Sequence, residues 1–104
     1  MKVYLTAYFK KQIKDLKKHY PHIGDDLLEA LEHSDLKTAV HIGGRIYKIR
    51  IKSRDLQKGK SGGFRSYIYV YQQSSGCIPL CIYAKSQKES ISENELQCHV
   101  DRTN

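Results

Sequence analysis

The 104-residue sequence contains 18 lysines and arginines against 11 aspartates and glutamates, which gives a formal net charge of +7. This length accommodates one modest core, so we expect residues 1 to 104 to form a single domain. Three cysteines are too few for a disulfide framework and favour a reducing cytoplasm, and the lack of a long apolar run argues against a signal peptide or a membrane-spanning helix.

The first part of the sequence predicts a helical hairpin. The segment from Lys2 to Leu5 is partly β-prone and predicts an edge strand or a lead-in. A helix that ends at Pro21 follows, because apolar residues recur at helical spacing. These residues are Phe9, Ile13, Leu16 and Tyr20. Asp25 and Asp26 predict the start of a second helix, since acids suit the positive helix end. Its apolar stripe comprises Leu27, Leu28 and Leu31.

From Arg45 onward the apolar period changes to two, which predicts three strands. The first strand has Tyr47, Ile49 and Ile51 on one face and Lys48, Arg50 and Lys52 on the other. The second strand, from about Phe64, has Ser66, Ile68 and Val70 on one face and Arg65, Tyr67, Tyr69 and Tyr71 on the other. A Ser-Ser-Gly turn predicts that a hairpin joins the second strand to the third.

The third strand and a helix complete the chain. On this strand the two faces are predicted to carry Ile78, Leu80, Ile82 and Ala84, and Cys81, Tyr83 and Lys85. Pro79 cannot donate to a ladder and predicts a bulge or an unpaired edge. Ser92 and Glu95 form a capping-box pattern, and Ile91 with Leu96 forms a hydrophobic staple, so a helix of about two turns is predicted after Ser92.

The positive charge is concentrated between Arg45 and Arg65, where eight basic residues accompany one acid. If the apolar strand faces pack on the hairpin, the opposite faces form one surface of cations and rings, as single-stranded RNA recognition requires. That surface comprises Lys48, Arg50, Lys52, Arg65, Tyr67, Tyr69, Tyr83 and Lys85. Two alternatives remain: lysines that protect a solvated strand edge, and tyrosines that complete a second buried layer.

Two further groups of residues predict no cofactor site. The glycine- and lysine-rich loop before Phe64 lacks the spacing of a nucleotide-binding P-loop, so we interpret it as a turn whose Lys58 and Lys60 reach outward. A metal site could be assembled on paper from Cys77, Cys81, Cys98 and His99. Strand residues four apart lie about 13 Å from each other, too far for one tetrahedral zinc. We therefore predict neither a metal nor another cofactor.

Four motifs in a fixed order carry a family resemblance. They are Tyr47-Lys48-Ile49-Arg50, Gly59-Lys60-Ser61-Gly62-Gly63-Phe64-Arg65, Ile82-Tyr83-Ala84-Lys85 and the capped segment from Ile91 to Leu96. This set resembles the RelE/ParE superfamily of toxins and is most similar to the HigB-type branch of RelE-like toxins. The resemblance implies an α+β fold in which an N-terminal helical hairpin packs on a small antiparallel β-sheet, with a short C-terminal helix beside it.

The resemblance also implies a function. RelE-like toxins cleave mRNA on the ribosome without a metal, by attack of the ribose 2′-OH on the adjacent phosphate, and a cognate antitoxin silences them in a toxin–antitoxin hetero-oligomer. Carried over to this sequence, the catalytic candidates are Lys48, Arg50, Arg65 and Lys85. Arg65 would stabilise charge on the phosphorane. Contacts to mRNA, and to the rRNA around it, would come from Lys52, Lys58, Lys60, Tyr67, Tyr69, Tyr83 and Lys88.

An alternative within the same fold is a non-catalytic protein, either a ParE-like gyrase inhibitor or an RNA-binding module. It is motivated by Ser86 and Ser92, which stand where some RelE-like members place an arginine and a tyrosine. A third interpretation is that the basic surface mainly docks an acidic segment of the antitoxin. That docking is compatible with catalysis, because covering the cations would block RNA access.

Overall fold

A computed structural model describes residues 2–33, 39–55, 63–71, 76–88 and 90–103. These residues form three helices and five strands. In chain order they are β1 (Lys2–Val3), α1 (Ala7–Lys17), α2 (Ile23–His33), β2 (Val40–Gly43), β3 (Ile46–Ile51), β4 (Phe64–Val70), β5 (Gly76–Ala84) and α3 (Glu93–Thr103). The predicted α+β class is confirmed, with the N-terminal helical hairpin packed on the sheet. Within the described residues, no helix combines the length and the apolar character needed to cross a membrane.

The five strands form one sheet in the order β1-β5-β4-β3-β2. The pairs β3–β4 and β4–β5 are antiparallel, as predicted; β2 pairs antiparallel with β3, and β1 runs parallel to β5. The sequence did not predict β2. All four of its residues are exposed, so its apolar residues Val40 and Ile42 do not mark a buried face, and its short run ends at two glycines.

The helical hairpin covers one face of the sheet and forms the main core. Phe9 of α1 and Leu27 and Leu31 of α2 are buried there. From the sheet, the core receives Ile49, Ile51, Phe64, Ile68, Cys77, Ile82 and Ala84. Leu28, which the sequence placed in the apolar stripe of α2, is 43% exposed, so that prediction is wrong. The buried stripe of α2 uses a spacing of four residues, and Leu28 lies beside it on the solvent side.

A bulge in β5 places two residues on the face opposite to the predicted one. Two consecutive residues of β4 pair with Cys81 and with Pro79, so Leu80 is the extra residue of the bulge. Ile82 and Ala84 therefore face the hairpin as predicted, whereas Leu80 belongs to a second cluster on the opposite face. Ile78 also lines a cleft on that opposite face. The bulge at Pro79 was expected, but its consequence for the two residues beside it was not.

The third helix covers part of the opposite face of the sheet. The cluster beneath it consists of Tyr67, Leu80, Cys81 and Tyr83, with Ile91, Leu96 and Val100 packed against it. The predicted cap is confirmed, because Ser92 Oγ accepts a hydrogen bond from the backbone N–H of Glu95 at 3.1 Å. The helix has 11 residues and hence about three turns, one more than predicted.

Two acidic residues tie the segment after β3 to the helical hairpin. Arg54 donates to Asp26 through its backbone N–H at 3.1 Å and its Nε at 2.7 Å. Asp55 accepts from the backbone N–H of His22 at 2.8 Å and contacts its Nδ1 at 2.8 Å, and these hydrogen bonds hold the pKa of Asp55 below its usual range. Arg54, one of the clustered cations, is thereby directed toward α2 and paired with acids.

Gly63 permits the close approach of β4 to β3 and provides a stability test. Its φ is +73°, and a Cβ there would lie 2.2 Å from the carbonyl oxygen of Ile51. We expect Gly63→Ala to lower the free energy of unfolding by about 2–4 kcal/mol, because strain and a backbone clash add.

Gly24 is the matched control for this test, because it lies in α2 and an added Cβ would meet nothing within 4 Å. Gly24→Ala should stabilise the protein by about 0.5–1 kcal/mol. Urea denaturation followed by circular dichroism measures both changes. Equal effects of the two substitutions would contradict the role of Gly63.

Candidate nucleic-acid interface

The strand register places the predicted cations in rows on the sheet face opposite the helical hairpin. The first row contains Arg50, Arg65 and Tyr83. The second row contains Lys48, Tyr67 and Cys81. The third row contains Ile46, Tyr69 and Ile78. We call the surface formed by these three rows the cationic face. Its charge lies at one end, because the third row is apolar apart from a phenol hydroxyl.

The described cations differ widely in exposure. Arg50 and Lys52 are exposed on and just after β3, while Lys48 is half-buried. Lys85 is also half-buried and follows the end of β5, where its backbone N–H donates to the carbonyl of Gly63 at 3.0 Å. This hydrogen bond places Lys85 beside the start of β4. Lys58 and Lys60 lie outside the residues that the structure describes.

Arg65 is buried, with only 3% of its surface exposed. Its Nη1 donates to the carbonyl oxygen of Phe64 at 3.0 Å. A buried guanidinium keeps its charge at any physiological pH and acts in a region of low dielectric constant, where its field is weakly screened. The structure therefore places the predicted catalytic arginine on the expected face, beneath the surface.

Two of the tyrosines predicted to stack on bases are covered in this structure. Tyr67 and Tyr83 are 3% and 6% exposed, and their rings stack on each other with centroids 6.2 Å apart. For these two residues the prediction of an open stacking surface is wrong, because α3 and its apolar residues pack over them. They form the second buried layer that the sequence left as an alternative, whereas Tyr69 is half-buried.

Burial also determines the protonation of Tyr83. Removal of the phenol from water raises the pKa of Tyr83 well above its ordinary value, and a hydrogen bond with Tyr67 is the next largest cause of the same rise. The phenol is therefore protonated at neutral pH and cannot accept a proton as a general base.

Two lysines flank the tyrosine pair. The Nζ of Lys48 lies 5.9 Å from the ring centroid of Tyr67, and the Nζ of Lys88 lies 5.8 Å from that of Tyr83. Lys88 Nζ also donates to Glu95 Oε2 at 2.8 Å, and this hydrogen bond holds the pKa of Glu95 below its usual range. The structure thus brings Lys88 to the edge of the cationic face beside the first row.

From the sequence, Glu95 was expected only to take part in a helix cap. In the structure its carboxylate also pairs with Lys88 and lies 3.8 Å from His99 Nε2. His99 in turn contacts the hydroxyl of Tyr8 on α1 through Nδ1. The spacing from Glu95 to His99 is a sequence signal for the second contact, since residues four apart share a helix face. No such signal links Lys88 to Glu95, because Lys88 precedes the helix.

The remaining sequence candidates are three cysteines and two serines. Cys77 faces the helical hairpin, Cys81 faces α3, and Cys98 is exposed. Over the described ranges, no three histidine, cysteine, aspartate or glutamate side chains are grouped to hold a metal ion. Ser86 is exposed, and Ser92 is engaged as the cap of α3.

An apolar cleft of about 290 Å³ lies at the uncharged end of the cationic face. It is lined by Tyr69, Tyr71, Ile78, Leu80, Val100 and Thr103. The lining comes from β4, the residue that follows it, β5 and the last turn of α3. The cleft therefore marks where the cover provided by α3 ends.

Comparisons with known proteins identify a family for this chain and a solved structure with a similar fold. A family model described as "RelE toxin of RelE / RelB toxin-antitoxin system" matches residues 1–101. The crystal structure of the isolated RelE toxin of E. coli is similar, with a TM-score of 0.55 and 17% sequence identity, over 97% of this chain and 96% of that one. At that identity the likeness shows a shared fold. A search of curated proteins gives no match.

The cover provided by α3 can be tested through cysteine reactivity. Burial raises the pKa of Cys77 and raises that of Cys81 to about 12, so neither supplies a thiolate at pH 8. Iodoacetamide should therefore label exposed Cys98 rapidly and the other two only after unfolding, as mass spectrometry of digested protein would show.

Leu96→Ala sharpens this test, because Leu96 packs against the cluster that contains Cys81. We expect labelling of Cys81 to accelerate by roughly tenfold as α3 loosens. Cys77, on the other face of the sheet, serves as the internal control and should be unaffected. Labelling of wild-type Cys81 as fast as Cys98 would show that α3 does not cover this face.

Proposed function

Because the chain belongs to the RelE family of toxins, we propose that it is a ribosome-dependent endoribonuclease of the HigB-type branch, which cleaves mRNA in the cytoplasm. One observation supports this proposal above the others. The register of two adjacent strands aligns Lys48 and Arg50 of β3 with Arg65 of β4 on a single face. Clustered cations on one face are the electrostatic requirement for holding a polyanion through several phosphates.

The proposed reaction is an internal phosphoryl transfer. The ribose 2′-OH loses its proton and its oxygen forms a bond to the adjacent phosphorus, while the bond to the 5′-oxygen of the next nucleotide breaks. The products are a cyclic phosphate and a 5′-OH, which takes up a proton. Negative charge accumulates on the non-bridging oxygens in the transition state, so fixed positive charge beside them accelerates the reaction.

The cations divide this work by their exposure. Arg50 and Lys52 are exposed and accessible to phosphates directly, whereas Lys48 and Lys85 are half-buried. We assign Lys48 and Lys85 as the candidates for taking up the proton of the ribose 2′-OH.

Arg65 would act from beneath this surface. Its guanidinium is held by the carbonyl of Phe64 and is preorganised, so its charge requires no reorientation during the reaction. Direct contact with a phosphate requires that the side chain become accessible. Without that change, Arg65 contributes through its field alone, which reaches the first row from a poorly screened position.

Further parts of the proposal concern partners and organisation. We propose that an antitoxin covers the cationic face with an acidic segment in a toxin–antitoxin hetero-oligomer, since complementary charge would both guide docking and exclude RNA. We also propose that residues 1–104 act as one toxin domain. Binding to mRNA on the ribosome would further involve Lys58, Lys60 and Tyr69, with rRNA supplying additional phosphates.

The second candidate function is a non-catalytic toxin of the same fold, either a gyrase inhibitor or an RNA-binding module. The burial of Arg65, Tyr67 and Tyr83 favours this candidate, because none of them is open to a substrate in this structure. Ser92 adds to it, since its hydroxyl is occupied by the helix cap. Transcript integrity separates the two candidates.

The proposed function is tested by expression without antitoxin. Wild-type protein should arrest growth and produce discrete mRNA breaks in primer-extension maps. Arg65→Lys and Arg50→Ala should reduce cleavage by roughly 10²-fold or more, because each removes transition-state charge stabilisation or its geometry. Growth should recover in parallel.

Lys14→Ala is the matched control, because it removes an exposed cation from α1 on the hairpin side. It should leave growth arrest and cleavage unchanged. Circular dichroism of each purified variant distinguishes loss of activity from loss of fold. Growth arrest with intact transcripts would contradict the nuclease and support the gyrase inhibitor.

A further inference from the structure

We propose that Glu95 is a positioning residue that holds the Lys88 ammonium at the edge of the cationic face, where Lys88 binds a phosphate of the RNA. This inference rests on the proposed ribonuclease function and assigns a role that the helix cap does not explain. Glu95 acts through Lys88 and does not itself touch the RNA. Three features of the structure support this role: two contacts of Lys88, the anchoring of Glu95, and the exposure of their ion pair.

Lys88 is fixed by contacts from two different elements. Its Nζ donates to Glu95 Oε2 on α3 at 2.8 Å and lies 5.8 Å from the ring centroid of Tyr83 on β5. A lysine side chain has four rotatable bonds and substantial rotamer entropy, so a single contact would leave the ammonium loosely placed. The two contacts together define its position relative to the sheet.

Glu95 is itself anchored at two points, through its backbone and through its carboxylate. Its backbone N–H donates to Ser92 Oγ, which fixes the first turn of α3. One turn later, His99 Nε2 lies 3.8 Å from the same carboxylate oxygen that binds Lys88. His99 also contacts Tyr8 of α1, so the carboxylate is connected to the helical hairpin as well as to α3. A flexible cation is thus held by a carboxylate whose own position is determined.

The position has a counterpart on the other side of the tyrosine pair. Lys48 Nζ lies 5.9 Å from the ring centroid of Tyr67, and the rings of Tyr67 and Tyr83 are stacked. The buried pair therefore has one ammonium beside each ring. Ammonium groups that are each held near a buried ring suit binding of one RNA strand through more than one phosphate better than mobile ones.

The ammonium can bind a phosphate while it keeps its hydrogen bond to Glu95, because an ammonium has three N–H donors. Both side chains are 40% exposed, and ion pairs at such exposure contribute little to stability. The carboxylate also repels an approaching phosphate. Removing its charge should therefore have two opposite effects: tighter binding of RNA and slower cleavage, because the ammonium is no longer held in place.

Single-turnover cleavage of a labelled mRNA on programmed ribosomes measures both effects separately. For Glu95→Gln we expect the half-saturating protein concentration to fall about twofold to threefold and the plateau rate to fall about fivefold to tenfold. Lys88→Ala should lower the plateau rate and raise the half-saturating concentration. Adding Glu95→Gln to Lys88→Ala should change the plateau rate less than twofold, because Glu95 then has no cation to position.

Glu29→Gln is the matched control. Glu29 forms a similar exposed pair, 3.0 Å from Arg54, on α2 at the hairpin side of the sheet. This substitution should leave both kinetic quantities unchanged. Unaltered circular dichroism spectra and melting temperatures would establish that all variants are folded, and Glu95→Gln retains the backbone cap.

Several results would overturn the inference. One is an unchanged plateau rate for Glu95→Gln; another is an equal fall in plateau rate with and without the Lys88 side chain. A simple structural role for Glu95 would worsen both kinetic quantities together.

Failure of the proposed function is distinguishable from failure of this inference. If wild-type protein leaves ribosome-bound mRNA intact, the nuclease is disproved, and affinity for a single-stranded RNA oligonucleotide then tests the placement of Lys88. Tighter binding by Glu95→Gln that disappears in the Lys88→Ala background would support the positioning role. Unchanged binding in Glu95→Gln would overturn it.

Discussion

The sheet must be covered on both sides along β4 and β5, and the rest of the structure depends on this requirement. Five consecutive residues of β4, Phe64 to Ile68, are buried, and all of β5 except Ile78 is buried. Because successive strand residues face opposite sides, one helical layer cannot cover them all. The helical hairpin covers one face and α3 covers the other, so cations remain accessible mainly on β3 and beyond the strand ends.

Because β4 and β5 are buried on both sides, the sheet face that carries the cations also forms part of the protein's buried interior. Arg65 would be costly in such a setting without polar partners. It donates to the Phe64 carbonyl, and across the described ranges no buried side-chain nitrogen or oxygen lacks a hydrogen-bond partner. A guanidinium satisfied in this way is rigid, and rigidity is what electrostatic catalysis requires. In the proposed reaction this burial confines Arg65 to acting through its field unless the side chain becomes accessible.

Membership of the RelE family and the shared fold do not by themselves assign a role to any individual residue of this chain. A fold shared at 17% identity carries no assignment of catalytic groups, because function resides in sites that vary on a common framework. Here the distinctive elements are a stacked tyrosine pair, a lysine at each end of it, and a carboxylate on α3. Their contacts come from four elements of the fold, β3, β4, β5 and α3, and from the turn that carries Lys88.

The sequence by itself determined the elements that have a clear hydrophobic period or a cap: the N-terminal helical hairpin, β3, β4 and the start of α3 at Ser92. It also determined that Lys48, Arg50 and Arg65 share a face, because alternation along paired strands is a local rule. Tertiary structure decided what local rules cannot. The bulge at Pro79 moved Leu80 to the other face, and α3 covered Tyr67 and Tyr83. The pairing of Lys88 with Glu95 joins residues on separate elements, so only the packing of α3 against β5 could reveal it.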